Sequence, residues 1–163
     1  MKVVVNATPL IALSLIGQLD LLRRLFDEVL TAPAVYHEVV TQGGDQPGAA
    51  ALAAAHWVQV QAPMSVPTIE PLLLGLDLGE LQVLLLAREV NPDWVLIDER
   101  LGRRTAQAMH LPVKGTMGLL LAAFHAGFLT RMAALEALQR LLDAGIRLSP
   151  AVVTWFQSEL DTG

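Results

Sequence analysis

Cysteine is absent from this chain, so disulfides, thiolate metal sites and cysteine nucleophiles are all excluded. That absence suits a reducing, cytoplasmic setting. Charge is scarce as well: 17% of the residues are charged, against about 25% in an average soluble domain. The 11 bases fall short of the 16 acids, and a formal charge of −5 speaks against a general polyanion-binding surface while leaving room for a local basic patch. A hydrophobic content of 53% excludes a disordered tail or a collagen-like repeat. No internal repeat, low-complexity tract or dividing linker is visible. A chain of this length can bury about 68–70% of its unfolded surface around one core. A single domain over residues 1–163 is therefore expected.

Membrane-length apolar runs are also missing. The uncharged stretch from Val3 to Leu19 follows Lys2 in the manner of a signal peptide, but Asn6, Thr8 and Pro9 interrupt it and no small-x-small cleavage site follows. The uncharged stretch from Gln46 to Ile69 contains His56, Gln59, Gln61, Pro63 and Pro67. Neither supplies about 20 predominantly apolar residues. The apolar surplus is assigned to a dense core and an oligomer interface, with no membrane partner.

What is present alternates between two patterns. Val3–Val5, Glu28–Thr31, Trp57–Val60, Trp94–Ile97 and Leu111–Lys114 are short runs that read as strands, the first and fourth wholly apolar as in a parallel sheet buried on both faces. Between them lie helical patterns. Thr8-Pro9 looks like an N-cap followed by proline at the first helical position, and the helix should end near Gly17. Further helices are expected over Leu19–Phe26, from Pro33 to Val40 before Gly43-Gly44, over Pro47–Ala55, from Asp77 to a stop at Pro92, over Arg100–Met109, Thr116–Ala126 and Met132–Ala144, and from Ser149-Pro150 to Leu160. Met64 to Gly75 reads as a loop with one turn. The alternation argues for an α/β fold with a central parallel sheet.

In such sheets the ligand crevice lies beyond the carboxyl ends of the strands. Two strands end there on oxygen-bearing side chains, Asn6 and Asp98, and two helices add an acid near their starts, Glu38 and Glu80. Gathered together, these are hard ligands suited to Mg²⁺ or Mn²⁺. Such a cation could activate water for phosphodiester cleavage without a protein nucleophile. Each residue also has a plainer reading: Glu80 as a capping partner of Asp77, Glu38 as a solvated position, Asp98 as a helix cap, Asn6 as a turn residue. Arg100, Arg103 and Arg104 share a helix face just beyond Asp98, either as a phosphate clamp or as a solvated face paired with Glu99. His37, His56, His110 and His125 show no ligand spacing.

The order of motifs resembles the PIN-like branch of VapC-like toxin ribonucleases, whose opening reads Asp-x-Ser/Thr-Pro-Leu. Here that opening is Asn6-Ala7-Thr8-Pro9-Leu10, followed by Pro33-Ala34-Val35-Tyr36-His37-Glu38-Val39, Leu78-Gly79-Glu80-Leu81-Gln82, Leu96-Ile97-Asp98-Glu99-Arg100, Lys114-Gly115-Thr116-Met117-Gly118 and Gly145-Ile146-Arg147-Leu148-Ser149-Pro150. The resemblance implies a Rossmann-like, three-layer α/β/α fold with a short central parallel sheet. It implies an Mg²⁺- or Mn²⁺-dependent endoribonuclease with Glu38, Glu80 and Asp98 as metal-site acids and with Thr8 and Thr116 as hydroxyls beside the substrate. It further implies an RNA substrate, a toxin role with an antitoxin partner, and a homodimer. The sequence departs from the family at Asn6, which brings an amide where the first acid belongs. Three outcomes stay open: a weakened nuclease, a module that binds RNA or protein without cutting, or a deliberate inactivation. A small nucleotide binder ranks last, since no glycine-rich phosphate loop follows Val5.

Overall fold

The computed structural model describes residues 1–65 and 70–163. Five short parallel strands form its centre: β1 (Lys2–Val5), β2 (Glu28–Thr31), β3 (Val58–Val60), β4 (Trp94–Leu96) and β5 (Val113–Lys114), in the order β3-β2-β1-β4-β5. Val3, Val4 and Val5 are wholly buried, as expected of a central strand covered on both faces. β1 pairs with β2 through Val3↔Val29 and with β4 through Val5↔Leu96. The strand order reverses between β1 and β4, because the chain first builds outward to β3 and then returns to the other side of β1. That reversal opens a crevice at the carboxyl ends of these two strands.

Helices flank the sheet in a three-layer α/β/α arrangement. They are α1 (Ala7–Leu15), α2 (Leu21–Leu25), α3 (Pro33–Tyr36), α4 (Pro47–Ala54), α5 (Leu78–Val90), α6 (Arg100–Ala108), α7 (Thr116–His125), α8 (Arg131–Asp143) and α9 (Pro150–Thr162). The core joins the sheet to Leu10, Leu13, Leu84, Leu86, Leu120 and Phe156, all fully buried. Among the described residues no helix is long and apolar enough to cross a membrane.

Several boundaries differ from the sequence reading for local reasons. α1 starts at Ala7 with Asn6 at its cap, so Thr8 lies inside the first turn instead of capping it. Pro9 tolerates this, because first-turn N–H groups have no partner within the helix. The helix expected from Pro33 to Val40 is α3 followed by a wider π-type turn, His37–Thr41, which carries Glu38. The helix expected over Leu19–Phe26 is one short element, α2. The loop expected over Met64 to Gly75 contains a 3₁₀ turn at Pro71–Leu73, and residues 66–69 of it lie outside the described residues.

Candidate functional site

Strand ends bring the polar residues together. Asn6 follows β1 and its backbone N–H donates to the Leu96 carbonyl at 2.9 Å, which holds the Asn6 corner against the end of β4. Asp98 and Glu99 follow two and three residues beyond the end of that neighbouring strand. The Asn6 side chain is buried and donates from Nδ2 to Glu99 Oε2 at 3.2 Å, while the Thr8 hydroxyl donates to Glu99 Oε1. Glu99 thus points into the site. The expectation that it pairs with the arginines of α6 is not met; its two oxygens are held by Asn6 and Thr8.

Asp98 is held from the other side. Its Oδ1 accepts the Thr116 N–H at 2.8 Å and its Oδ2 the Thr116 hydroxyl at 2.6 Å. The carboxylate therefore caps α7 from a different element, where the helix dipole favours it. It does not cap α6, whose N-cap is Glu99, a residue making no side-chain capping bond. Burial raises the Asp98 pKa above the ordinary carboxylate value, and the two Thr116 hydrogen bonds oppose that rise.

Glu80 combines both of its anticipated roles. It closes a capping box with Asp77, whose Oδ1 accepts the Glu80 N–H at 2.7 Å while Glu80 Oε1 accepts the Asp77 N–H at 3.4 Å. Its second oxygen, Oε2, is buried with no hydrogen-bond partner among the described residues. Gly102 of α6 makes room for that oxygen: a Cβ there would stand 2.7 Å from it. Burial, then the adjoining Asp77 carboxylate, and lastly Glu99 push the Glu80 pKa up to about 7. Glu38 is exposed on the π-type turn. A Cβ on Gly79 would lie 3.5 Å from both Glu38 Oε2 and Asp77 Oδ1, so these carboxylates flank the first turn of α5. The Glu38 pKa is raised by partial burial first and then by Asp77 and Glu99.

Glu38, Glu80 and Asp98 thus share one electrostatic neighbour, Glu99. Among the described residues, however, no three acidic or histidine side chains stand close enough to form a ready ligand set. Asp98, Glu99 and Thr8 line a cleft of about 820 Å³, together with Arg103, Lys114, Thr116 and residues of α9, whereas Glu38 and Glu80 lie outside it.

The three arginines of α6 do not act as one face. Gly102, Thr105 and Ala106 form the buried side of the helix. Arg103 flanks that side, turns back to donate from Nη1 to the Ile97 carbonyl at 3.1 Å, and lines the cleft. Arg100 and Arg104 face solvent on the opposite side. The four histidines are all exposed. Of the apolar stretches that could have formed a docking surface, Leu119–Leu121, Ala123 and Phe156 are buried, and Trp155 alone stands 43% exposed.

A family model described as DUF3368, a PIN domain, matches residues 2–161. The chain belongs to that family. No curated protein and no solved structure matches it. Membership gives this PIN domain a nuclease-like fold. Sequence reasoning underrated two of the residues here. Glu99 reads from sequence as a partner of the α6 arginines or as a partial substitute for the charge missing at Asn6, and as Asp98's chain neighbour its direction is not legible; the structure turns it to Asn6 and Thr8. Asp77 was read only as a cap, although it is the carboxylate closest in effect to Glu80.

Proposed function

We propose that this PIN domain is a metal-dependent endoribonuclease weakened at its first acid position. The observation that carries the reading is the buried Oε2 of Glu80, without a hydrogen-bond partner among the described residues and set beside acids that raise the Glu80 pKa. A cation relieves both conditions, since it supplies a partner for the oxygen and cancels the like-charge repulsion. The donors are oxygens throughout, which favours Mg²⁺ or Mn²⁺ over softer metals. Glu38, Glu80, Asp98 and the side-chain amide oxygen of Asn6, with Glu99 beside them, would have to draw together to hold the ion, since among the described residues no three acids already stand as a ligand set. When bound, the ion supplies water activation and charge neutralisation on the phosphate.

The chain's own groups prepare the site for that chemistry. Thr116 fixes Asp98 by two hydrogen bonds, and Asn6 and Thr8 fix Glu99. Arg103, anchored on the Ile97 carbonyl, places a guanidinium beside the acids, suited to a phosphate oxygen. A role as the toxin of a toxin–antitoxin pair, and a homodimer, belong to the same proposal. The exposed Leu72, Leu74, Leu78 and Leu101 supply apolar surface for such contacts.

The test is cleavage of mixed RNAs in Mn²⁺ by the wild type, Asn6→Asp and Asp98→Asn. Asn6→Asp should cut faster than the wild type, and Asp98→Asn should not cut. No cleavage even by Asn6→Asp overturns the enzyme reading, and equal cleavage by all three points to a contaminating nuclease. A second reading, a module that binds without cutting, is favoured by the Asn6–Glu99 hydrogen bond, which satisfies Glu99 without a cation. Millimolar Mn²⁺ that leaves the melting temperature unchanged supports this second reading, because a ligand of the folded state alone must stabilise it.

A further inference from the structure

The cleft beyond Asp98 has a second wall that the metal chemistry does not use. Gly145–Ser149, the last family-like motif, and the start of α9 line it together with β5 and the first turn of α7. That wall presents Arg147 and Trp155, both exposed, and Trp155 is 43% accessible although indole rings are usually well buried. In the same lining, Lys114 holds its ammonium 5.6 Å from the centre of the Trp94 ring, and Arg103 is fixed by the Ile97 carbonyl. Among the described residues Arg103, Lys114 and Arg147 form no salt bridge with a carboxylate within 4.0 Å. Arg103 sits beside Asp98, so in a chain of formal charge −5 it is Lys114 and Arg147, sharing the cleft with an exposed indole, that mark a local anion-binding surface next to the acids.

Cations that track a backbone, together with an aromatic face, are the means by which proteins hold an unpaired nucleic acid strand. A base inside a duplex offers no free face to an indole, so the pairing selects single strands. We infer that Arg147 and Trp155 form the strand-holding wall of the cleft, Arg147 taking a backbone phosphate and Trp155 stacking a base of single-stranded RNA whose neighbouring phosphate lies at Asp98. The inference rests on the nuclease reading for the identity of the strand, and it names positioning residues, not catalytic ones.

The experiment measures binding alone. A fluorescein-labelled, mixed-sequence, single-stranded oligoribonucleotide is titrated by anisotropy in EDTA, with the same sequence as a duplex and a polyglutamate peptide as comparators. The wild type should prefer the single strand. Trp155→Ala should weaken binding about 5- to 150-fold, with Trp155→Phe retaining most of it because a ring face remains. Arg147→Ala should lower the salt slope of log affinity by about 0.7, and Arg147→Lys should restore it. Arg131→Ala, an exposed arginine paired with Asp161, serves as the charge control and should change little beyond the general field. Binding that survives both alanine substitutions overturns the wall while leaving the nuclease reading intact. No binding of the single strand by the wild type, or a preference for the duplex or for polyglutamate, overturns the inference itself. Unchanged melting temperatures in the variants keep loss of fold from imitating loss of contact.

Discussion

Replacing Asn6 by Asp tests the electrostatics of the site directly. The amide now donates to Glu99 across 3.2 Å from a buried position. Asn6→Asp removes a hydrogen bond to a charged group, worth about 1.5–3 kcal/mol. It also sets two carboxylates face to face. At an effective dielectric constant of about 20, unit charges 3.2 Å apart repel by about 5 kcal/mol. Protonation limits that penalty, since keeping one proton on a group of ordinary pKa, about 3.9, costs about 4 kcal/mol at pH 7. Protonation is the cheaper path and also restores a donor to Glu99, so a loss of up to about 4 kcal/mol is expected in EDTA, a large share of the 5–15 kcal/mol that holds an ordinary domain together. The assay is urea denaturation at pH 7 with EDTA and again with millimolar Mn²⁺. The ion should return about 2.7 kcal/mol when present at about 100 times its dissociation constant. Two results refute the reasoning: an Asn6→Asp variant within about 0.5 kcal/mol of the wild type in EDTA, or a loss that Mn²⁺ does not reduce.

The remaining predictions address the neighbouring groups. The Glu80 pKa is raised to about 7, so the folded state holds a proton that the unfolded chain releases near 4.5, and in EDTA stability should fall as pH rises between those values. Glu80→Gln removes that contribution; the difference between the two pH profiles should amount to about 1–3 kcal/mol, and parallel profiles would show that Glu80 does not titrate in this range. Gly102→Ala places a Cβ 2.7 Å from Glu80 Oε2 and 2.9 Å from Ile97 Cγ2. Crowding of this kind costs about 1–3 kcal/mol and outweighs the helix propensity that alanine adds, so urea denaturation should show a net loss; a gain in stability would mean that the close approach is easily relieved. Asp98→Asn should abolish cleavage in Mn²⁺ while keeping the fold, because an amide can still accept from Thr116.

Much of this architecture is written locally. Three consecutive valines read as a doubly covered strand and form one, Asp77 with Glu80 encodes its own capping box, and Ser149-Pro150 starts α9 with the Ser149 hydroxyl accepting the Val152 N–H. The fold class and the polar residues at the ends of β1 and β4 follow from such signals. The first turn of α1 was misjudged because Thr8-Pro9 carries a capping pattern that Asn6 also carries, and only the acceptor at Glu99, more than 90 residues away, decides where the Thr8 hydroxyl goes. The π-type turn under Glu38 leaves no sequence signature, since Val39 and Val40 suit either helix geometry.

By itself the sequence determined the elements, their hydrophobic faces and the residue types available to a site, because each of these depends on spacing along the chain. Only the tertiary structure decided which carboxylate meets which donor. It set Glu99 against Asn6 and Thr8, Asp98 against Thr116, and left one oxygen of Glu80 without a partner. It also separated Arg103 from Arg100 and Arg104 and brought Arg147 and Trp155 to the same cleft. These are questions of direction and distance between segments far apart in the chain. Their answer depends on sheet order and helix rotation, which no local spacing records.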